Sequence, residues 1–225
     1  MPGREVPLVT DQFYHVLNRG VGSQLIFLNK RDYQRAWDSV FYYQNQKPAL
    51  SYSHFLRLPI KQRTEFLERL QTQSKFLVKI ITLCFLPNHF HLLLKQVRDN
   101  GISLFMANLA NSYTRYFNTK NERTGHLFQG KFKAVMIETN EQLLHVSRYI
   151  HLNPYSSYLV KNLNQLNAYS YSSLPEYLGI SPTNFFQKEI ILDQFKSISA
   201  YKKFIFDQAD YQRDLEQIKH LTLER

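Results

Sequence analysis

The segment KFLVKIITLCFLPNHFHLLLKQV, residues 75–97, contains two apolar runs separated by a short break at Asn88. The first run, 75–87, is rich in β-branched and other apolar residues, which is typical of a buried central strand. The second run, 89–97, follows directly, so the two runs together predict a β-hairpin. The rest of the fold can be assigned outward from this hairpin.

Two further segments have strand character. Residues 12–20 are rich in strand formers and end in Arg-Gly, and residues 125–138 predict a strand or a pair of strands punctuated by glycine. We expect Pro154 to end the helix that precedes it. Apolar residues recur at helical spacing in three segments, 30–46, 102–120 and 140–154.

The order of these elements is β-α-β-β-α-β followed by one more helix. This order predicts an α+β protein with the split βαβ, or ferredoxin-like, arrangement and an antiparallel sheet. Residues 47–73 combine a loop-like part with a helical pattern over 60–73, and we assign them to a long crossover or to an insertion within it. Helix-like segments after residue 160 predict a small helical extension.

Composition favours an anionic partner. The chain has 225 residues, a formal net charge of +10 and a pI of about 9.6. This charge is typical of proteins that bind nucleic acid, although many other soluble proteins are also basic. The single cysteine, Cys84, excludes an intramolecular disulfide. The most apolar stretch is too short to span a bilayer and contains Lys79, so we expect a soluble intracellular protein.

Two histidines, His89 and His91, lie two positions apart in the second run of the hairpin. Side chains at i and i+2 of a strand project from the same face, so this pair is suited to a divalent metal. A bare His-x-His pair is more often structural or exposed. Because two histidines rarely suffice for a metal, a third ligand is needed from another part of the chain.

The helix predicted over 140–154 offers that ligand. Tyr149 and Asn153 are four residues apart and therefore share one helix face. The carbonyl oxygen of asparagine is a hard ligand that suits Mg²⁺ or Mn²⁺. A phenol close to such a cation could attack a phosphorus centre. Taken alone, Tyr149 is more simply an ordinary tyrosine of an amphipathic helix.

Three motifs in this order resemble a known family: PNHFHLLL (87–94), YFNTKNERTGHLFQGKFKAV (116–135) and SRYIHLNPYSSYLV (147–160). The chain is similar to the single-tyrosine HUH transposases, which are IS200-like, and most of all to the branch of REP-associated tyrosine transposases. The resemblance runs from about Phe13 to Val160. It implies a ferredoxin-like HUH endonuclease domain over 1–160, whose last helix bears the nucleophile. A helical C-terminal extension over 161–225 follows this domain.

The resemblance also implies site residues and chemistry. His89, His91 and Asn153 match the metal ligands of the family, with Mg²⁺ or Mn²⁺ as the cofactor. Tyr149 matches the nucleophile, which cleaves single-stranded DNA beside hairpins of palindromic repeats and becomes linked to the 5′-phosphate. His145 lies one helical turn before Tyr149 and is a possible assisting base, although a structural role is the simpler interpretation. The branch implies a bacterial, cytoplasmic and nucleoid-associated protein that is a monomer, whereas other single-tyrosine transposases are dimers.

A DNA-binding surface is expected from the segment 115–133, where cations alternate with aromatic rings. Such alternation allows a protein to grip phosphates and stack on bases, although a solvated loop beside core aromatics has the same composition. Arg19, at the end of the first strand, and Arg148, beside the nucleophile, are weaker candidates. The candidates within the segment are Arg115, Lys120, Arg123, His126, Phe128, Lys131 and Lys133.

Two other functions are compatible with these residues. A domesticated relative would bind DNA or RNA hairpins without cutting them. A small metal-dependent hydrolase with a water nucleophile would use His89 and His91 and leave Tyr149 without a role. Only the transposase-like function uses all four site residues.

Overall fold

The fold is seen in a computed structural model that describes residues 7–46, 48–72, 75–181 and 183–223. A four-stranded sheet has the order β2-β3-β1-β4. The backbone N–H of Gly20 donates to Asn88, and that of Gln96 donates to Gln12, so β1 and β3 run antiparallel. The strands are β1 (Phe13–Arg19), β2 (Val78–Leu86), β3 (His89–Gln96) and β4 (Lys133–Ile137).

The helices complete the arrangement β-α-β-β-α-β, so the predicted ferredoxin-like α+β fold is confirmed. A 3₁₀ turn over Val21–Ser23 follows β1. The helices are α1 (Lys30–Tyr43), α2 (Tyr52–Phe55), α3 (Ile60–Thr72), α4 (Gly101–Lys120), α5 (Asn140–Ser156), α6 (Leu163–Asn167), α7 (Leu174–Tyr177), α8 (Glu189–Leu192), α9 (Ile198–Phe206) and α10 (Ala209–Leu223).

The predicted end of α5 at Pro154 is wrong, because the helix continues through this residue to Ser156. Proline lacks an N–H, so its place in the final turn costs only the bond that it would have donated to Ile150. The carbonyl oxygen of Pro154 accepts from the backbone N–H groups of Leu159 and Val160, which close the helix end.

The glycine-punctuated segment 125–138 contains less strand than its sequence predicts. Only Lys133–Ile137 is a strand, and the preceding residues form turns. Gly125 and Gly130 have φ values of 84° and 64°, in the left-handed region that favours glycine. An isolated bridge between Gly20 and Phe128 joins this segment to the end of β1, in addition to the pairing of β4 with β1.

The chain divides into two compact units. The first unit comprises Met1–Lys79, Pro87–His89 and Leu94–Met136, and the second comprises Ile80–Leu86, Phe90–Leu93 and Ile137–Arg225. The domain boundary expected near residue 160 stays a prediction.

A buried carboxylate joins α1 to α4 in the first unit. The Asp32 side chain is fully buried and accepts from the backbone N–H of Leu28 at 3.0 Å and from the Tyr116 hydroxyl at 2.8 Å. The ammonium of Lys120 pairs with the same carboxylate. A buried charge needs such compensation, so these contacts fix the pairing of the two helices.

No helix within the described ranges is both long enough and apolar enough to cross a membrane.

Candidate active site

Helix α5, in the second unit, begins with a reciprocal cap. The side chain of Thr139 accepts from the backbone N–H of Gln142 at 3.1 Å, while the Gln142 side chain accepts from the N–H of Glu138 at 2.9 Å. This arrangement resembles a capping box and satisfies donors that a helix start would leave without partners. The cap fixes the start of the helix that carries Tyr149 and Asn153.

The aromatic ring of Tyr149 lies against the imidazole of His91. Their ring centroids are 5.6 Å apart and their planes are nearly perpendicular, at 89°. His91 is 5% exposed, whereas Tyr149 is half-buried. The structure therefore brings together two of the predicted site residues, one from β3 and one from α5, within the second unit.

Asn153 lies one turn after Tyr149 and is also buried. Its amide nitrogen Nδ2 donates to the backbone carbonyl of Tyr149 at 2.9 Å. The side chain of Gln212 on α10 donates to the same carbonyl at 3.1 Å. Because the amide nitrogen is used in this way, the carbonyl oxygen Oδ1 is the atom of Asn153 that can be offered to a cation.

His89, at the start of β3 in the first unit, has an oriented ring. Its Nδ1 lies 2.6 Å from Oδ1 of Asn88, and Nδ2 of Asn88 donates to the carbonyl of Ser23 at 3.4 Å. Since Oδ1 can only accept, Nδ1 carries the proton and the lone pair of a neutral ring resides on Nε2. Metal-ligating histidines are commonly held in this way by a second hydrogen bond.

Metal binding is therefore compatible with the donor chemistry of these residues. Strand alternation places His89 and His91 on one face of β3, and Asn153 supplies a hard oxygen. Within the part of the chain that the structure describes, no three His, Cys, Asp or Glu residues cluster as a metal site. The expected ligand set contains only two residues of those types, so this observation leaves it a prediction.

His145 and Arg148 contact each other on α5. Arg148 donates to Nδ1 of His145 at 2.6 Å and to the carbonyl of Phe204 at 3.3 Å, and its guanidinium lies 4.4 Å from the Phe204 ring centroid. Nε2 of His145 lies 3.6 Å from Glu141. Burial lowers the pKa of Arg148 below its usual value. The assisting-base role of His145 and the DNA-binding role of Arg148 stay predictions.

His151, to which sequence reasoning gave no role, is the centre of a buried polar network. Its Nδ1 lies 2.8 Å from the Tyr201 hydroxyl, and its Nε2 lies 2.7 Å from Oγ of Ser173. Ser173 also accepts from the backbone N–H of Leu83 at 3.0 Å. Burial lowers the pKa of His151 to about 3, so the ring is neutral. The network ties α5 to β2 and to α9 at the residue midway between Tyr149 and Asn153.

The end of α5 is held by α10. Arg213 lies 3.4 Å above the ring centroid of Tyr155 and donates to the carbonyls of Tyr155 and Val160. The Tyr155 hydroxyl donates to Asp210 at 2.7 Å. Residues of the C-terminal extension therefore contact α5 at both its middle and its end. These pairings leave no local signal in the sequence, since the partners are far apart in the chain.

The expected DNA-binding residues of the first unit lie in different environments. Arg19 donates to the side chain of Gln129 at 2.6 Å, while the backbone N–H of Gln129 donates to the carbonyl of Arg19 at 2.8 Å. This pair joins the end of β1 to the loop before β4. The exposed candidates are Arg19, Arg115, His126, Lys131 and Lys133.

Three other candidates make internal contacts. Arg123 donates to the Asn118 side chain at 3.0 Å and to the carbonyl of His126 at 3.3 Å. Lys120 is paired with the buried Asp32, and Phe128 is 8% exposed, with its ring 6.3 Å from that of Tyr113. Lys120 and Phe128 therefore support the packing of the segment. Their direct contact with DNA stays a prediction.

Comparisons with known proteins agree with this fold. Residues 56–153 match the model of a family described as "Transposase IS200 like". This range includes His89, His91, Tyr149 and Asn153. The resemblance to the IS200-like transposases is thus confirmed.

Twelve chains of solved structures match this chain. One is described as a REP-associated tyrosine transposase bound to a REP hairpin, with a TM-score of 0.53 and 12% sequence identity. The match covers 83% of this chain and 98% of that chain. At this identity the likeness shows a shared fold. None of the curated proteins compared matches the chain.

Proposed function

Because residues 56–153 belong to the IS200-like transposase family, we propose that this chain is a metal-dependent endonuclease and strand transferase for single-stranded DNA. It acts on hairpin DNA through a covalent 5′-phosphotyrosine intermediate. The observation that carries the proposal is the contact between the rings of Tyr149 and His91, because it pairs the nucleophile with a metal-ligand candidate. The structural relative bound to a REP hairpin supports hairpin DNA as the substrate class.

His89, His91 and Asn153 are the residues that would hold Mg²⁺ or Mn²⁺. His89 would offer Nε2, because Nδ1 faces Asn88, and Asn153 would offer Oδ1. A divalent ion held by these residues would supply polarisation of the scissile phosphate and would offset the charge that develops on its oxygens.

Tyr149 acts as the nucleophile. Its phenolic oxygen forms a bond to phosphorus while the bond from phosphorus to the 3′-oxygen breaks, so the leaving strand ends in a 3′-hydroxyl that takes up a proton. The linkage retains the energy of the phosphodiester, so a 3′-hydroxyl can attack it and rejoin strands. We propose His145 as the assisting base, which requires its ring to release Arg148 or Glu141.

Basic residues of the first unit are proposed to bind the DNA backbone. Arg19, His126, Lys131 and Lys133 line the end of β1 and the approach to β4, and all four are exposed. The net charge of +10 supports this assignment. We also propose that Arg115, Arg123 and Arg148 bind the DNA backbone. Lys120 and Phe128 would contribute through the packing that shapes the segment. We further propose a monomer that acts in the bacterial cytoplasm.

The decisive assay uses labelled hairpin DNA, Mn²⁺ and a denaturing protein gel. We expect a covalent protein–DNA band that is lost in Tyr149→Phe and kept in Tyr211→Phe, a matched change at a tyrosine that is 63% exposed. Binding without a covalent band in the wild-type protein would favour the domesticated relative. Cleavage that survives in Tyr149→Phe would favour a water nucleophile.

A further inference from the structure

The first unit contains a cavity of about 460 Å³ between α4 and the segment that leads into α2. Pockets of this size hold small organic ligands. One wall is formed by polar side chains of α4, and the other is formed by Tyr43, Pro48, Ala49, Leu50, Ser51, Ser53 and His54. None of the four residues of the proposed catalytic set lines it.

The α4 wall presents four polar side chains, those of Asn108, Asn111, Ser112 and Arg115. Their spacing of three, four and seven residues puts them on one face of the helix. Among the described residues, no side chain or backbone group makes a hydrogen bond or ion pair with these four side chains. Asn111 and Arg115 are exposed. By contrast, Lys120, one turn further on, is paired with Asp32.

The opposite wall combines an apolar surface with an imidazole. Pro48, Ala49 and Leu50 contribute the apolar surface, and His54 contributes the imidazole. Nδ1 of His54 lies 3.2 Å from Oγ of Ser51, so Nε2 is its other polar atom. Among the described residues that line the cavity, none is Asp or Glu. A guanidinium without a competing carboxylate favours an anionic ligand.

We propose that this cavity binds one nucleotide unit. Arg115 binds the phosphate, the carboxamides of Asn108 and Asn111 bind the edge of the base, and the apolar wall at Leu50 covers the base plane. Carboxamides both donate and accept, as the edges of bases do. The unit is either a free nucleotide or one residue of a single strand. The inference concerns the first unit alone and does not depend on the chemistry of Tyr149.

The test is a calorimetric titration of the full-length protein with each of the four deoxynucleoside monophosphates, without divalent metal. Loss of a charge-assisted hydrogen bond in Arg115→Gln is expected to weaken binding by about 10- to 100-fold. Asn111→Leu should change the preference among the four bases. Lys61→Gln removes an exposed cation of α3 outside the cavity and should leave binding unchanged.

A second arm measures fluorescence anisotropy of a hairpin with a single-stranded flank in which successive positions are made abasic. If a single-strand residue is the ligand, one abasic position and Asn111→Leu should each weaken binding, and their combination should weaken it no further. Nucleotide binding that is equal in Arg115→Gln and wild type would overturn the proposal. So would the absence of both monophosphate binding and an abasic effect. Either result would leave covalent adduct formation at Tyr149 unaffected as a separate measurement.

Discussion

Helix α4 follows β3 in the chain and helix α5 follows β4. The two helices differ in whether their polar side chains are held by internal contacts or are exposed. On α5, the side chains of His151, Asn153 and Tyr155 have partners from Ser173 before α7, from α9, from α10 or from α5 itself. On α4, Asn111 and Arg115 are exposed at a cavity. A nucleophile must be held in one geometry, whereas a ligand-binding face must keep donors and acceptors available.

This contrast makes the two helices sensitive to different changes. A substitution of His151 or Asn153 on α5 should alter both stability and chemistry, because these buried polar groups complete internal contacts. A substitution on the exposed face of α4 should alter binding with little effect on folding.

The largest effect is expected for His91→Ala. Loss of a metal ligand beside Tyr149 should slow formation of the covalent DNA adduct by about a thousandfold, because metal stabilisation of the transition state contributes several kcal/mol. A titration with Mn²⁺ should also show weaker binding. His126→Ala, at an exposed histidine, should leave Mn²⁺ affinity unchanged. Equal Mn²⁺ affinity in His91→Ala and wild type would contradict the ligand assignment.

His151→Leu should lower the free energy of unfolding by about 2–4 kcal/mol, because the Tyr201 hydroxyl and Ser173 would each lose a buried partner. Urea denaturation measures this change. The control on α4, Asn111→Leu, should stay within about 0.5 kcal/mol of wild type. Similar losses in the two variants would remove the contrast between the helices.

The buried ring of His151 also makes the stability of the fold depend on pH. Burial lowers the pKa of folded His151 from 6.5 to about 3. Below pH 6.5 the ring of His151 binds a proton in the unfolded state but not in the folded state. The stability that is present above pH 6.5 is therefore lost as the pH falls towards 3. The slope for this group is at most about 1.4 kcal/mol per pH unit. His15, whose pKa burial lowers to about 4, adds a slope of the same sign. Urea denaturation between about pH 7 and 5 should therefore show a shallower slope in His151→Leu, and an unchanged slope would be evidence against a neutral buried ring.

Asn88→Ala should weaken Mn²⁺ binding by about 10- to 100-fold, because Asn88 fixes the tautomer and orientation of the His89 ring. Calorimetric titration of Mn²⁺ gives this value without any DNA. Asn111→Ala removes a carboxamide elsewhere in the first unit and should bind Mn²⁺ as wild type does. If both variants retain wild-type affinity, Asn88 has no role in orienting a ligand.

The smallest effects are expected for the exposed lysines before β4. Lys131→Gln and Lys133→Gln should each weaken hairpin binding uniformly across sequences and reduce the slope of log affinity against log salt by about one. Anisotropy measured at several salt concentrations provides the slope. Lys61→Gln is again the control. If Lys131→Gln and Lys133→Gln have the same slope as this control and wild type, the two lysines do not contact DNA.

The sequence predicts the fold well because its signals are local. The two apolar runs and the break at Asn88 predict the β2–β3 hairpin, and helical spacing predicts α4 and α5. The ring of Tyr149 lies beside that of His91, and the roles of the two residues stay predictions. Pro154 shows the limit of a local rule, because a proline in the last turn removes only one helical hydrogen bond.

The remaining features depend on partners that are distant in sequence. His151 gave no signal because Ser173 and Tyr201 lie 22 and 50 residues away. Lys120 has the charge expected of a DNA contact, yet it pairs with the carboxylate of Asp32, which is 88 residues away in the chain. Phe128 is counted with the stacking rings by sequence but is buried in the structure. Residue type indicates which chemistry is available, and tertiary contacts decide whether it is used in packing or offered to a ligand.

The claim that Tyr149 is the nucleophile is tested most directly by peptide mapping of the covalent adduct. Wild-type protein is incubated with Mn²⁺ and hairpin DNA, digested with nuclease and protease, and analysed by mass spectrometry. We predict a 5′-linked nucleotide on the peptide that contains Tyr149 and on no other tyrosine peptide. A nucleotide attached to a different residue, or cleaved DNA with no modified peptide, would contradict the account.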